Sequence, residues 1–390
     1  MGSAPNGVFR VGGAVRDQLL GLPVQDIDYV VVGSTPEQLI EAGYTPVGKD
    51  FPVFLHPTSK AEYALARTER KSAPGYRGFV FHCDPTVTLE QDLQRRDLTI
   101  NAMAIPESET DVAAVIDPFG GQRDLAARIF RHVSDAFSED PVRILRIARF
   151  AARFADFTVA PETLQLMRVM VDSGEVDALV SERVWQEIAR GLMELHPARM
   201  LATLQESAAL DRIIPELHDT VDADLLQTVN FSAQQHMPLG ARWAVICTSL
   251  TPEVLLRVCQ RLKVPAEIRD IALIATREQR PIAAAINLSA NSIVQLLERC
   301  DAFRRPSRFV EIVQAVRCAN RATSADFPQL ALLQQSLASA QNIAAGDIAR
   351  QVTLQFPNQP QRIAESIYVA RAAAIQALIN IPNRDTIGDQ

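Results

Sequence analysis

The sequence predicts an α+β fold, in which an N-terminal α/β head (a mixed sheet with helices) is followed by helices alone. Short β-branched runs and glycine turns alternate with helical patterns from residue 8 to about residue 135. After Ser138 the β-branched runs become rare, and apolar residues recur with the 3.6-residue period of an α-helix. With 47% hydrophobic residues in 390, the chain can fill the cores of two to four domains.

The head begins with a strand, a glycine turn and a helix in VFRVGGAVRDQLLG, where Gly21 ends the helix. The segment IDYVVVG predicts a second strand. A short helix follows in TPEQLIEAG, with Thr35 as its cap and Pro36 at the first helical position. The segments PVFLHP and AEYALARTE predict a hairpin. RRDLTINAMAI begins another helix or strand, and VIDPFGG ends in a turn.

The helical part begins with EDPVRILRIARFAARFA, for which Ser138 is the expected N-cap and Pro141 lies in the first turn. Three further helices are predicted in PETLQLMRVMVDSG, SERVWQEIARGLMEL and PARMLATLQESAAL. The remainder, to about Ala374, also has helical periodicity. No fixed-period repeat is present.

The composition places weak limits on function. The net charge of −7 argues mildly against a nucleic-acid partner, but a local basic face can override it. None of the five cysteines forms a C-x-x-C pair, which favours buried, reduced thiols and a cytoplasmic location. No apolar run is long enough to cross a membrane, and we expect no signal peptide.

Two aspartates, Asp26 and Asp28, lie at the start of an apolar strand. Residues i and i+2 of a strand point to the same face, so the two carboxylates would repel each other unless they share divalent cations. A pair of Mg²⁺ ions would remove that conflict and create a phosphoryl-transfer site. The alternative is a polar turn before a buried strand, which on D-x-D alone is the commoner case.

A glycine turn precedes the aspartates in VGGAVRD. Gly12 and Gly13 let the backbone approach a phosphate, and Arg16 can add a charge-assisted hydrogen bond. The pattern is not G-x-G-x-x-G, so a dinucleotide fold is not predicted. The glycines could serve the turn alone, but their pairing with D-x-D indicates a triphosphate beside its metals.

Two arginine-rich segments are further candidates for nucleotide binding. In RRDLTINAMA, Arg96 could meet a triphosphate while Asp97 holds Arg96 or a ribose hydroxyl; a solvated charge cluster is the alternative. In the helix after Ser138, four arginines lie within about 120° of the helix surface. They have no Glu or Lys partner at i+4, which favours phosphate contacts over a solvated face. These four are Arg143, Arg146, Arg149 and Arg153.

Together with ARTERK, these motifs resemble a class II tRNA nucleotidyltransferase (CCA-adding enzyme), in the poly(A) polymerase-like branch of the polymerase-β superfamily. The resemblance covers residues 8 to about 215 closely. It implies a catalytic head (1–137), a nucleotide-selecting neck (138–200), a body (201–270) and a tRNA-binding tail (271–390). It also implies a two-metal transfer from CTP and ATP to the tRNA 3′ end, with Mg²⁺ as the cofactor and release of pyrophosphate.

The resemblance assigns site residues position by position. Asp26 and Asp28 correspond to the catalytic metal ligands, and Glu62 and Glu69 are both candidates for a third carboxylate. The segment Arg67 to Gly78 resembles the loop used in the switch from C to A addition. The residues that correspond to nucleotide contacts are Gly13, Arg16, Arg96, Asp140, Arg143, Arg146 and Arg149.

Base selection follows from hydrogen-bond chemistry once the Asp140 and Arg143 pair is assigned to it. Cytosine and adenine each present an amino donor next to a ring-nitrogen acceptor, which match a carboxylate and a guanidinium. Uracil and guanine present a carbonyl and a ring N–H, so each would leave buried polar groups unpaired. The pair therefore selects C and A without a nucleic-acid template.

The sequence departs from relatives that carry a metal-dependent HD phosphohydrolase domain. Where a His-Asp pair is expected, it has Cys247, Thr248 and Ser249, so we expect that activity to be absent and the region to be retained as helical scaffold. The alternative is a residual site at His218 and Asp219. Three rival functions remain: a poly(A) polymerase, an enzyme that adds only A, and a non-catalytic tRNA-binding module.

Overall fold

The computed structural model describes residues 7–47, 53–71, 79–82, 84–109, 111–321 and 326–380. The chain divides into two compact units. The first combines Met1–Gly191 with Arg199–Pro215, and the second combines Leu192–Ala198 with Glu216–Gln390. The division into head, neck, body and tail, which the sequence predicts, stays a prediction.

The first unit opens with strands and short helices, as predicted. Their bounds are β1 Val8–Val11, α1 Gly13–Leu19, β2 Asp28–Val31, α2 Pro36–Glu41, β3 Thr45–Val47, β4 Val53–Leu55, β5 Glu62–Leu65, β6 Thr68–Lys71, β7 Phe79–His82, α3 Leu89–Gln94, β8 Ala104–Pro106, α4 Gly121–Ala127 and β9 Ile129–Phe130. Thr35 and Gln38 form a full capping box at α2, with Pro36 in its first turn.

Six of these strands form one mixed sheet in the order β3-β4-β5-β2-β1-β8. Strand β2 pairs antiparallel with β1 and parallel with β5. The predicted hairpin is present as the antiparallel pair β4–β5, with Phe54 opposite Tyr63. Strand β2 is buried on both faces, because Val30 packs into one hydrophobic cluster and Val31 into another. This double burial holds the start of β2 in a fixed position.

The first unit continues in helices, apart from one two-residue strand that pairs with β9. Their bounds are α5 Val142–Arg153, β10 Thr158–Val159, α6 Pro161–Asp172, α7 Ser181–Met193, α8 Pro197–Glu206 and α9 Ala209–Ile213. Helix α5 buries its apolar face, including Ile144, Ile147 and Ala151. Its predicted cap is wrong: Ser138 lies in the 3₁₀ turn Asp135–Glu139, where its hydroxyl donates to the carbonyl of Asp135.

The second unit is helical throughout its described residues. Its helices are α10 Ala223–Gln234, α11 Leu239–Ile246, α12 Pro252–Arg261, α13 Ala266–Ala283, α14 Ala290–Arg299, α15 Pro306–Ala319, α16 Pro328–Gln341, α17 Ala345–Gln355 and α18 Gln361–Ile379. The core includes Trp243 and Phe309, both fully buried. This unit also holds the four cysteines that the structure describes, all buried and unpaired, and burial raises the pKa of the Cys300 thiol to about 12.

Within the described ranges, no helix is both long and apolar enough to span a lipid bilayer.

Candidate active site

A cavity of about 700 Å³ opens in the first unit between the sheet and helices α5 and α7. It gathers the predicted site residues from segments that are far apart in the sequence. Every one of them lines this cavity: Gly13, Arg16, Asp26, Asp28, Arg96, Asp140, Arg143, Arg146 and Arg149.

The pairing of β1 with β2 explains why the glycine turn and the aspartates meet. Val11, the last residue of β1, lies opposite Asp28, the first residue of β2. Gly12 follows Val11 directly and has a φ of 71°, which disfavours residues with a Cβ. A Cβ at Gly12 would lie 3.1 Å from Nη1 of Arg96. The turn therefore needs glycine both for its conformation and for the closeness of Arg96.

Asp26 and Asp28 are exposed at the cavity wall, and Asp26 precedes β2 by two residues. Glu62, at the start of β5, lines the same cavity, whereas the side chain of Glu69 lies outside the described residues. No three Asp, Glu, His or Cys side chains among the described residues converge closely enough to hold a metal ion. The described carboxylates thus offer a two-aspartate donor set, whose oxygen ligands suit a hard divalent cation.

Arg16 is buried and anchors the glycine turn to its surroundings. Its guanidinium donates to Asp17 and, over 2.7 Å, to Oδ1 of Asn101. It also lies 5.2 and 5.0 Å from the ring centres of Phe150 and Phe154. Burial lowers the pKa of Arg16, although the Asp17 carboxylate opposes that effect. These contacts fix the orientation of the Arg16 guanidinium, which lines the cavity.

Asp92 is a site residue that the sequence analysis missed. Its fully buried carboxylate accepts from Arg95 over 2.7 Å and from Arg96 over 3.2 Å. Burial opposes ionisation, but the charges of the two arginines hold the pKa of Asp92 below its usual range. Among the described residues, Arg96 therefore pairs with Asp92 and not with Asp97, while a contact of Asp97 with a ribose hydroxyl stays a prediction. The available signal was an acid three and four residues before two arginines, a spacing that brings side chains together when the segment is helical.

Asp97, in the segment between α3 and β8, binds an arginine of helix α5. Its carboxylate accepts from Nε of Arg146 over 2.8 Å and from the amide of Asn101 over 3.0 Å. Burial opposes its ionisation, but the charge of Arg146, the hydrogen bond from Asn101 and the charge of Arg143 outweigh burial. The pKa of Asp97 is consequently far below its usual value.

Replacing Asp97 with asparagine should destabilise the first unit by about 1–3 kcal/mol, because Arg146 loses its charged partner and water at its exposed side replaces only part of that contact. The pKa of Asp97 is lowered by folding, so its contribution is complete above about pH 4 and is lost as the pH falls further. Chemical unfolding at pH 7 and below pH 4 measures both effects. The difference in the free energy of unfolding between wild type and Asp97→Asn should become smaller below pH 4.

The matched control is Asp177→Asn, which breaks an exposed pair with Arg212 and should cost at most about 1 kcal/mol. A difference in unfolding free energy between wild type and Asp97→Asn that does not change with pH would contradict the stabilising role of the Asp97–Arg146 ion pair.

The arginines of α5 find acidic partners on other elements. Arg149 pairs with Glu187 of α7 over 2.7 Å, and Arg153 pairs with Asp17 of α1 over 2.8 Å. The lack of i+4 partners therefore did not mean that the stripe was unpaired. Even so, among the described residues lining the cavity, ten arginines face six carboxylates. The cavity is basic although the chain as a whole is acidic, which suits a polyanionic ligand.

Asp140 and Arg143 are held by different neighbours at the start of α5. Asp140 accepts from the backbone N–H of Val142 over 3.1 Å and from Arg183 over 2.9 Å. Arg143 is buried and donates to the backbone carbonyls of Ala136 and Arg95. Both side chains line the cavity in defined orientations, as a pair that reads a base requires.

Two cavity residues of α7, Arg183 and Arg190, were not predicted. They are seven residues apart and hence lie on the same face of the helix. That spacing was visible in the sequence, but nothing in it indicated which face of α7 meets the cavity.

Two family models match the chain. One, described as the poly A polymerase head domain, covers residues 8–131, and the other, a probable RNA and SrmB-binding site of polymerase A, covers residues 156–220. Two curated relatives, both called multifunctional CCA protein, resemble nearly the whole chain. The protein of Janthinobacterium sp. (strain Marseille) is 53% identical over 95% of this chain and 97% of its own length. The protein of Herminiimonas arsenicoxydans is 52% identical over 96% of this chain and 98% of its own length.

Solved structures agree with these sequence matches. The Bacillus stearothermophilus CCA-adding enzyme in complex with CTP is 25% identical, with a TM-score of 0.68 over 95% of this chain and 89% of that one. The Thermotoga maritima CCA-adding enzyme complexed with tRNA has the same fold, with a TM-score of 0.70 at 21% identity over 98% of this chain and 88% of that one.

Proposed function

The chain belongs to the family of the multifunctional CCA proteins, and on that premise we propose that it adds the 3′-terminal CCA to tRNA from CTP and ATP without a nucleic-acid template. The observation that best supports the proposal is the convergence of all nine predicted site residues on one basic cavity. The reaction is nucleotidyl transfer: the tRNA 3′-hydroxyl attacks the α-phosphorus of the nucleotide, and pyrophosphate leaves.

Asp26 and Asp28 are the proposed ligands of the divalent metal that nucleotidyltransferases of this kind use, and Mg²⁺ is the ion we propose. Their exposed carboxylate oxygens fit this hard cation, and the double burial of β2 holds Asp28 in place. When bound, the metal would activate the attacking hydroxyl and neutralise phosphate charge. Glu62 is the described candidate for a third carboxylate, although it does not converge with the aspartates into a three-ligand group.

The glycine turn, Arg16 and Arg96 are the proposed triphosphate site. Gly12 and Gly13 allow close approach of the backbone, and Arg96 lies over the turn. Asp92 holds Arg95 and Arg96 in position at the cavity wall, where Arg96 can reach phosphate oxygens. We propose Arg16 as a residue that holds this wall in shape as well as a nucleotide contact.

Asp140 and Arg143 are the proposed base readers. The carboxylate of Asp140 accepts from the amino group of cytosine or adenine, and Arg143 donates to the adjacent ring nitrogen. The guanidinium of Arg143 lines the cavity, and two backbone carbonyls fix its position. Arg146 and Arg149 extend the same basic wall along α5.

The proposal is tested by incubating the purified protein with tRNA lacking CCA, CTP and ATP. We expect extension by three nucleotides with release of pyrophosphate, loss of activity on chelation, and recovery with Mg²⁺. A protein that binds tRNA but extends none would be the non-catalytic module instead. Unlimited addition of A would indicate a poly(A) polymerase. A cytoplasmic location belongs to the same proposal and is consistent with the buried, unpaired thiols.

We propose that the second unit lacks phosphohydrolase activity. At the expected His-Asp position, Cys247 is fully buried, and burial raises the pKa of its thiol well above the usual value. A protonated thiol is a poor metal ligand. His218 and Asp219 lie side by side at an exposed position, and no metal-binding group of three residues occurs among the described residues. The purified protein with Mg²⁺, Mn²⁺ or Ni²⁺ should therefore release no phosphate from p-nitrophenyl phosphate and open no 2′,3′-cyclic nucleotide. Metal-dependent turnover that His218→Ala abolishes would contradict this.

A further inference from the structure

Arg183 of α7 makes a charged contact with the proposed base reader Asp140. Its Nη2 lies 2.9 Å from Oδ2 of Asp140, and its Nη1 lies 3.5 Å from Oδ1. The backbone N–H of Val142 donates to Oδ1 from the other side over 3.1 Å. Both oxygens of the carboxylate are therefore fixed, one mainly by α7 and the other by the first residue of α5.

The orientation of this carboxylate decides which bases it can accept. An aspartate side chain has two rotatable bonds, and its second torsion is broad, so a single backbone contact leaves it free to turn. Asp140 and Arg183 are only partly buried, with 21% and 28% of their side chains exposed, so water could replace a lost partner. Arg143, by contrast, is buried and donates to two backbone carbonyls that lie outside α7.

We propose that Arg183 is a positioning residue for base selection, which aims the Asp140 carboxylate at the amino group of the incoming nucleotide. The inference rests on the proposed role of Asp140. In addition, base specificity would depend partly on α7, because Arg183 lies more than 40 residues from Asp140 in the sequence. Arg183 acts through Asp140, not on the transferred phosphate.

The physical consequence is specific to the base. When Asp140 is aimed, a carbonyl of uracil or guanine meets a carboxylate oxygen, and both stay unpaired. When Asp140 can rotate away, that penalty disappears and water fills the gap. The triphosphate contacts and the Asp26 and Asp28 carboxylates remain in place. Loss of Arg183 should thus admit wrong bases more than it slows correct ones.

The test measures kcat/KM for CTP, ATP, UTP and GTP on matching tRNA ends with Arg183→Ala. We expect the ratios of CTP to UTP and of ATP to GTP to fall at least about tenfold. Arg183→Lys should be intermediate, because lysine keeps the charge but not the two-pronged contact. The matched control is Arg168→Ala on α6, an exposed arginine that, within the described part of the chain, donates to the carbonyl of Glu206 and does not line the cavity. It should keep wild-type ratios. Thermal unfolding establishes that each variant is folded.

The double variant Asp140→Ala/Arg183→Ala should be no less selective than Asp140→Ala alone, since the two residues act as a unit. Equal losses for all four nucleotides in Arg183→Ala would overturn the inference, because a merely structural residue behaves that way. Faster use of CTP and ATP at unchanged selectivity would also overturn it, since Arg183 would then compete with the base. If Asp140→Ala itself stays fully selective, the proposed base reader is wrong, which is a separate failure.

Discussion

Asp28→Ala is expected to lower the rate of nucleotide addition at least about a thousandfold, equivalent to about 4 kcal/mol of transition-state stabilisation. Asp28 is the first residue of β2, and with Asp26 it provides the carboxylates proposed to hold the metal. Single-turnover addition of CMP to tRNA measures this loss. The fold should survive, because the Asp28 side chain is exposed and the hydrophobic clusters that contain Val30 and Val31 remain intact.

Asp172→Ala is the matched control for this experiment. Asp172 is also an exposed aspartate of the first unit, at the end of α6, and it does not line the cavity. It should retain wild-type rates. Turnover of Asp28→Ala close to that of Asp172→Ala would rule out the two-aspartate metal site.

Asp140→Ala is expected to reduce the preference for CTP over UTP about a hundredfold, while the KM for the triphosphate changes little. The carboxylate is the proposed acceptor for the amino group that uracil lacks, so its removal should eliminate the repulsion that rejects UTP. The measurement is kcat/KM for each nucleotide on tRNA ending before CCA. If the variant added only C and A, at a lower rate, Asp140 would not read the base.

Arg143 is less suited to the same experiment, for a structural reason. Arg143→Ala would leave the carbonyls of Ala136 and Arg95 without their donor, at a cost of about 1–3 kcal/mol each if they stay buried. Part of any effect on activity would then be a change of structure at the start of α5. Asp140 separates selectivity from stability more cleanly.

The parts of the site that lie close together in the sequence were predictable. The glycine turn, the strand that starts at Asp28 and helix α5 all follow from local pattern. Their convergence also follows, once β1 and β2 are paired antiparallel, because the pairing places Val11 opposite Asp28. Hydrophobic periodicity and turn chemistry are sufficient for those steps.

The ion pairs of the site were not predictable in this way. Asp97 meets Arg146 across 49 positions, and Asp17 meets Arg153 across 136. A single sequence shows that α5 has a basic face but not which acids will face it, because that depends on how the elements pack. The i+4 rule therefore suggested unpaired arginines where the fold provides partners.

The start of α5 shows a different limit. Ser138 has the chemistry of an N-cap, yet the chain forms a 3₁₀ turn there, and the carboxylate of Asp140 binds the N–H of Val142 instead. Both serine and aspartate are favoured N-cap residues, so the sequence alone does not show whether Ser138 or Asp140 caps the helix. The difference matters here, because it places the proposed base reader at the first turn of the helix.

The most direct test of the central claim offers the protein three tRNAs, ending before CCA, after C and after CC, with each of the four nucleotides separately. We expect two C additions to the tRNA that ends before CCA, one C addition to the tRNA that ends after C, and one A addition to the tRNA that ends after CC. We also expect extension to stop at CCA, and UTP and GTP not to be used. Addition of A alone to the third substrate, without C addition to the first, would contradict the claim.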